Sequence, residues 1–120
     1  MARRLDRREL NQTIGIVDTI NGGIFGELVN ITTEGLMVIT DREIETQAIF
    51  QLALQLPEPL KGSGQVVIGA DCLWCRRAEH FYRYWAGFQI IDASELALAQ
   101  IEVLIDLYAK PELESGGDYE

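Results

Sequence analysis

A chain of 120 residues that is 48% hydrophobic can bury one compact core but not two. Its net charge of −9 argues against non-specific binding to DNA, RNA or an anionic membrane surface. No apolar run approaches the ~20 residues of a membrane-spanning helix, so no membrane insertion is expected. The basic start lacks the hydrophobic segment of a secretory leader, which makes the cytoplasm the expected location.

Residues 1–11 have no sustained apolar period and read as a flexible arm carrying Arg3, Arg4, Arg7 and Arg8. From Thr13 the pattern turns strand-like: Ile14, Ile16, Asp18 and Ile20 alternate with Gly15, Val17 and Thr19. Asn21-Gly22-Gly23 signals a tight turn, because its central positions accept positive φ cheaply. The chain returns from Ile24 to Ile31, crosses a short polar stretch ending at Gly35, and continues to Thr40.

Residues 41–47 are charged and read as a loop. A fourth strand, Ile49 to Leu56, has Phe50, Leu52, Leu54 and Leu56 on one face, with Pro57 and Pro59 expected to stop it. Gly62-Ser63-Gly64 turns the chain into a fifth, Val66 to Cys75, and a sixth follows with Tyr82, Tyr84, Ala86, Phe88 and Ile90 on one face. The period then changes. Asp92 or Ser94 can cap a helix whose stripe is Leu98, Ile101, Leu104, Ile105 and Tyr108, and Pro111 ends it.

Six strands joined by short connections and closed by one helix predict an all-β fold, a six-stranded antiparallel barrel with a C-terminal helix. Closure hides the edges that an open sheet of this hydrophobicity would expose. The expected organisation is an arm over 1–11, the barrel and helix over 12–110, and a disordered acidic tail over 111–120.

Catalytic chemistry finds little footing. His80 is the single histidine and sits in a charged connection, with no nucleophile and acid arranged around it. Cys72 and Cys75 are too few for a disulfide scaffold and fit a reducing compartment. On a regular strand they point to opposite faces, which suits neither a redox pair nor a chelate, and a structural zinc needs two further ligands. No phosphate-binding glycine loop precedes a helix. Neither an enzyme nor a bound cofactor or metal is expected.

The arginines are different. Arg3 with Arg7, and Arg4 with Arg8, share an Arg-x-x-x-Arg spacing. Guanidinium groups bind phosphate bidentately and stack on flat bases, so four of them on an acidic protein suit a specific anionic ligand better than a polyanion. A solvated terminus is the competing reading. Asn30-Ile31-Thr32-Thr33-Glu34-Gly35 reads first as a well-made turn, with Asn and Thr bonding the backbone and Gly tolerating positive φ.

Together, Arg-x-x-x-Arg and the later Asn30-x-Thr32-x-x-Gly35 resemble the paired signature of PilZ domains, Arg-x-x-x-Arg and Asp/Asn-x-Ser-x-x-Gly. Leu73-Trp74-Cys75-Arg76 and Tyr84-Trp85-Ala86-Gly87-Phe88 are similar to that family's last two strands, so the likeness covers roughly residues 3–109. The resemblance implies a cyclic di-GMP receptor that regulates an unidentified protein effector. The arginines would hold phosphates and stack on guanines, Asn30 and Thr32 would read a guanine edge, and Gly35 would admit close approach. Thr32 departs from the commoner serine, keeping the hydroxyl and adding a methyl. The arginine register stays open: Leu10 following at strand spacing favours Arg4 and Arg8 over Arg3 and Arg7.

Overall fold

Alternating apolar residues and tight turns carry the chain through six strands and one helix. In the computed structural model, which describes residues 13–79 and 82–108, these are β1 (Gly15–Asp18), β2 (Ile24–Ile31), β3 (Gly35–Thr40), β4 (Ile49–Leu60), β5 (Ser63–Arg77), β6 (Tyr84–Ala93) and α1 (Glu95–Tyr108). The strands close in the order β1-β2-β3-β6-β5-β4, and every pairing is antiparallel. This is the barrel the sequence predicts. Inward positions such as Ile16, Phe25, Leu52, Leu54, Ile68 and Phe88 form the core. Phe25, Phe50 and Phe88 meet inside it at centroid distances of 5.3, 5.8 and 6.0 Å.

β1 is shorter than its alternation suggests. Asp18 ends it and organises the turn: its carboxylate accepts hydrogen bonds from the Ile20 N–H at 2.9 Å, the Asn21 N–H at 3.0 Å and the Asn21 Nδ2 at 3.1 Å. Gly22 and Gly23 follow at φ 84° and 87°, and Ile20 is left 68% exposed rather than completing the strand. Burial pushes the Asp18 carboxyl up. The bonds from Asn21 and Ile20, with the Arg42 charge nearby, outweigh that and hold it below its ordinary value.

β4 runs on past its prolines to Leu60. The ladder with β5 shifts between Gln55↔Gln65 and Leu60↔Ser63, so Pro57 and Pro59 lie where the register breaks. A missing N–H costs nothing there. The hairpin turns on Lys61 and Gly62, both at positive φ (54° and 83°), so Ser63 and Gly64 belong to β5 instead of the turn. Tyr82, expected on the sixth strand's inner face, precedes β6 and is exposed.

Ser94, not Asp92, caps α1: its Oγ accepts the Ala97 N–H at 3.0 Å. The buried face is Ala97, Gln100, Ile101 and Leu104, a rotation from the expected stripe that leaves Leu98 exposed. Gln100 is buried because its Nε2 donates to the carbonyls of Leu60 and Gln65, both at 3.1 Å. A single polar side chain thus ties the helix to the β4–β5 hairpin.

Candidate ligand-binding face

The Asn30–Gly35 stretch is built by three local devices. The first is a bulge. Leu28 pairs with Val38 and Asn30 with Met37, so Val29 is an extra residue in β2. It re-aims the strand, leaving Leu28 and Ile31 in the core and putting Asn30 on the outer face. Simple alternation would have put Asn30 on the same side as Leu28.

The second device is Thr32. Its Oγ1 accepts the N–H groups of Glu34 (3.1 Å) and Gly35 (3.2 Å), while the Thr32 N–H donates to the Gly35 carbonyl at 2.8 Å. The loop is therefore the self-bonded turn that its residues suggest. The hydroxyl proton points toward Gly35 O at a long 3.4 Å. An incoming acceptor could take that proton without disturbing the two bonds the oxygen receives.

The third is Gly35, whose φ is not among the positive values, contrary to the turn expectation. Its need is steric: a Cβ there would lie 2.5 Å from the Phe88 carbonyl oxygen, where β3 and β6 run close together. Ile90 N–H then fastens the Glu34 carbonyl at 2.9 Å. The loop is pinned to β6 as well as to itself.

From Asn30 a ladder row crosses the outer face: Asn30↔Met37, Met37↔Gly87, Gly87↔Trp74. Strands lie about 4.8 Å apart, so three steps put Trp74 about 14 Å from Asn30 along the curved barrel wall. Gly87 is the seat of the indole; a Cβ there would collide with Trp74 Nε1. Arg76 covers the indole at 5.2 Å from the ring centroid. Trp85 lies in the adjacent row, opposite Arg76 and Ile39. The face thus offers an amide and a hydroxyl at one end and an aromatic–guanidinium stack at the other. Trp74 and Arg76 were legible only as part of a family likeness; the register gives them a place beside Asn30.

Arg3, Arg4, Arg7 and Arg8 lie outside the described residues. The described chain starts at Thr13, and the carbonyl of the next residue, Ile14, accepts the Leu28 N–H at 2.9 Å, two residues before Asn30. His80 is likewise outside the described residues.

The cysteines correct the sequence reading. Cys72 pairs with Phe88, Trp74 with Gly87 and Cys75 with Ala86, so Leu73 is a bulge residue. The extra residue returns Cys75 to the inner face with Cys72, instead of the opposite one. Cys72 is fully buried and Cys75 packs against the core, its Sγ accepting the Ile44 N–H at 3.3 Å. Burial, then the neighbouring Cys75, pushes the Cys72 thiol up to about 11. Both thiols are free, and no group of three potential metal ligands occurs among the described residues. No helix among them is long and apolar enough to cross a membrane.

A family model, PilZ domain, matches residues 2–107. The fold is similar to that of Bacillus subtilis inhibitor of motility (MotI/DgrA), with a TM-score of 0.64 and 13% identity over 88% of this chain and 51% of that one. It is also similar to Borreliella burgdorferi PlzA in complex with c-di-GMP, with a TM-score of 0.49 and 14% identity over 83% of this chain and 45% of that one. The chain spans about half the length of each. No curated protein matches it by sequence.

Proposed function

The chain belongs to the PilZ family, and from that premise we propose that it is a receptor for cyclic di-GMP whose bound state regulates a protein effector. The observation that carries this reading is the outward bulge at Val29. It presents Asn30 beside the Thr32 loop on the face that leads to Trp74. In this reading Asn30 takes a guanine edge and Thr32 Oγ1 donates its loosely held proton. Arg4 and Arg8, or Arg3 and Arg7, clamp phosphate with bidentate guanidinium bonds. Trp74 under Arg76 supplies a flat surface for a base.

The family's role is that of a receptor module. Calorimetric titration of the whole chain with cyclic di-GMP tests the proposal. Saturable binding in the micromolar range or tighter supports it. Absence of heat and of any ligand-induced change in Trp fluorescence would overturn it, leaving a PilZ-type interaction module that does not bind nucleotide.

A further inference from the structure

We propose that one flank of α1, the row Leu96, Val103 and Leu107, docks a basic amphipathic helix of a partner protein. The contact requires no nucleotide, so it stands whether or not the chain binds cyclic di-GMP.

The sequence of α1 builds two parallel rows. Three times an acid is followed directly by an apolar residue: Glu95-Leu96, Glu102-Val103 and Asp106-Leu107. At 3.6 residues per turn, spacings of seven and four keep each set within about 40° of the helix surface, and the one-residue offset sets the rows about 100° apart. On the other side of the apolar row lie Gln100 and Leu104, which face the barrel. The row is therefore a ledge between the buried face and the acids. Leu96 and Leu107 are 47% and 49% exposed, and Val103 between them packs partly against the core. Ala97, Gln100, Ile101 and Leu104 already seat α1 on the barrel. Two exposed leucines beside that face depart from the polar surface expected of a helix held on one side.

Spacing and charge select the occupant. Apolar residues seven and four apart, over about 16 Å of helix, form a seam on which a second helix packs, its flanking positions lying beside the acids. α1 carries Glu95, Glu102 and Asp106 and no base. It packs on β4, β5 and β6, and its Gln100 ties it to the Leu60 and Gln65 end of the barrel. At that end these elements add Glu58, Asp92 and Lys61, while Arg76 and Arg77 stand at the far end of β5. Acids thus outweigh the single Lys61 around the ledge. Lysines or arginines flanking the apolar face of an incoming helix would meet Glu95, Glu102 and Asp106. A second copy would bring the same acids to that edge, and an anionic membrane would be repelled by them.

The probe is a dye-labelled synthetic helix with leucine at its heptad seam and lysine at the flanking positions, titrated with the full chain without nucleotide. Fluorescence anisotropy should show saturable binding with a Kd of about 100 µM or tighter. Leu96→Ser with Leu107→Ser should weaken it about tenfold or more at unchanged Tm, since both side chains are exposed. Glu102→Lys with Asp106→Lys should weaken it as much, and should bind instead the same peptide carrying glutamate for lysine. Glu43→Lys with Glu45→Lys, on the exposed loop beside Cys75, makes the same change in net charge and should bind like the parent. Absence of binding overturns the proposal, as does equal loss in the two charge variants. So does a chain that dimerises in sedimentation velocity until the leucines are replaced, which puts a second copy on the row. Binding that appears only when Arg3, Arg4, Arg7 and Arg8 are replaced by alanine would put the chain's own arm there, and equally overturns it.

Discussion

Gly35 and Phe88 stand so close across the β3–β6 ladder that a single methyl on Gly35 would sit 2.5 Å from the Phe88 carbonyl oxygen. The contact is with backbone, which cannot rotate out of the way. The glycine that ends the motif is therefore a packing requirement of the barrel before it is anything to a ligand.

Gly35→Ala should accordingly lose stability through overpacking, by about 1–3 kcal/mol. Each kcal/mol lowers Tm by about 4–8 °C in a domain of this size. Differential scanning calorimetry measures it. A Tm within a degree of the parent would show that the two strands can separate at little cost.

Thr32 separates loop support from chemistry. Thr32→Val removes the acceptor for two backbone N–H groups and should cost about 1 kcal/mol, with weaker cyclic di-GMP binding. Thr32→Ser keeps the oxygen and its proton, so stability and affinity should both stay near the parent. Weakened binding in Thr32→Ser would assign the methyl a role of its own.

The arginine register is decided by two double variants. Arg4→Ala with Arg8→Ala should lose about 3–6 kcal/mol of binding, from two charge-assisted contacts of about 1.5–3 kcal/mol each. That amounts to a loss of a hundredfold or more. The Tm should not move. If Arg3→Ala with Arg7→Ala has the larger effect instead, the other pair holds the phosphates.

Asp18 makes stability depend on pH. Its folded pKa is held below its ordinary value, so the stabilisation is complete above the unfolded carboxylate pKa of about 3.9 and fades as pH falls through the lower folded value. Asp18→Asn replaces one accepting oxygen with an NH₂ facing Asn21 and should cost about 1–2 kcal/mol at neutral pH. Urea titrations from pH 7 down to about 3 should show the gap between parent and variant closing in the acid range. A gap that stays constant with pH would mean the turn does not depend on the charge.

The strands and most turns were legible in the sequence because both rest on local chemistry. Ile14 and Ile16 alternate with glycine and valine, and Asn21-Gly22-Gly23 can hardly do anything but turn. Several departures from the sequence pattern come from a register settled between strands. Val29 and Leu73 look like ordinary strand residues, yet each is the extra one in its ladder, and each reverses the side on which later residues fall. That reversal puts Asn30 outside and Cys75 inside. Pro57 and Pro59 likewise seemed terminal because the ladder shift that accommodates them depends on β5. Nothing local announces that Gln100 is buried against two carbonyls from a hairpin thirty-five and forty positions earlier. Of the candidate face, the Asn30–Gly35 end was readable as a motif, whereas its relation to Trp74 required the register.

The four-residue β1 has a consequence for how anything docks on this protein. It pairs with residues 24–27 of β2 on one side and 52–54 of β4 on the other, and so occupies backbone donors and acceptors that those stretches would otherwise offer. Along those stretches a visiting peptide cannot add itself as a seventh strand, the sequence-tolerant way in which open sheets capture partners. Recognition there must run through side chains. A partner meeting that part of the wall is thereby chosen by surface chemistry, and a short strand enforces the choice.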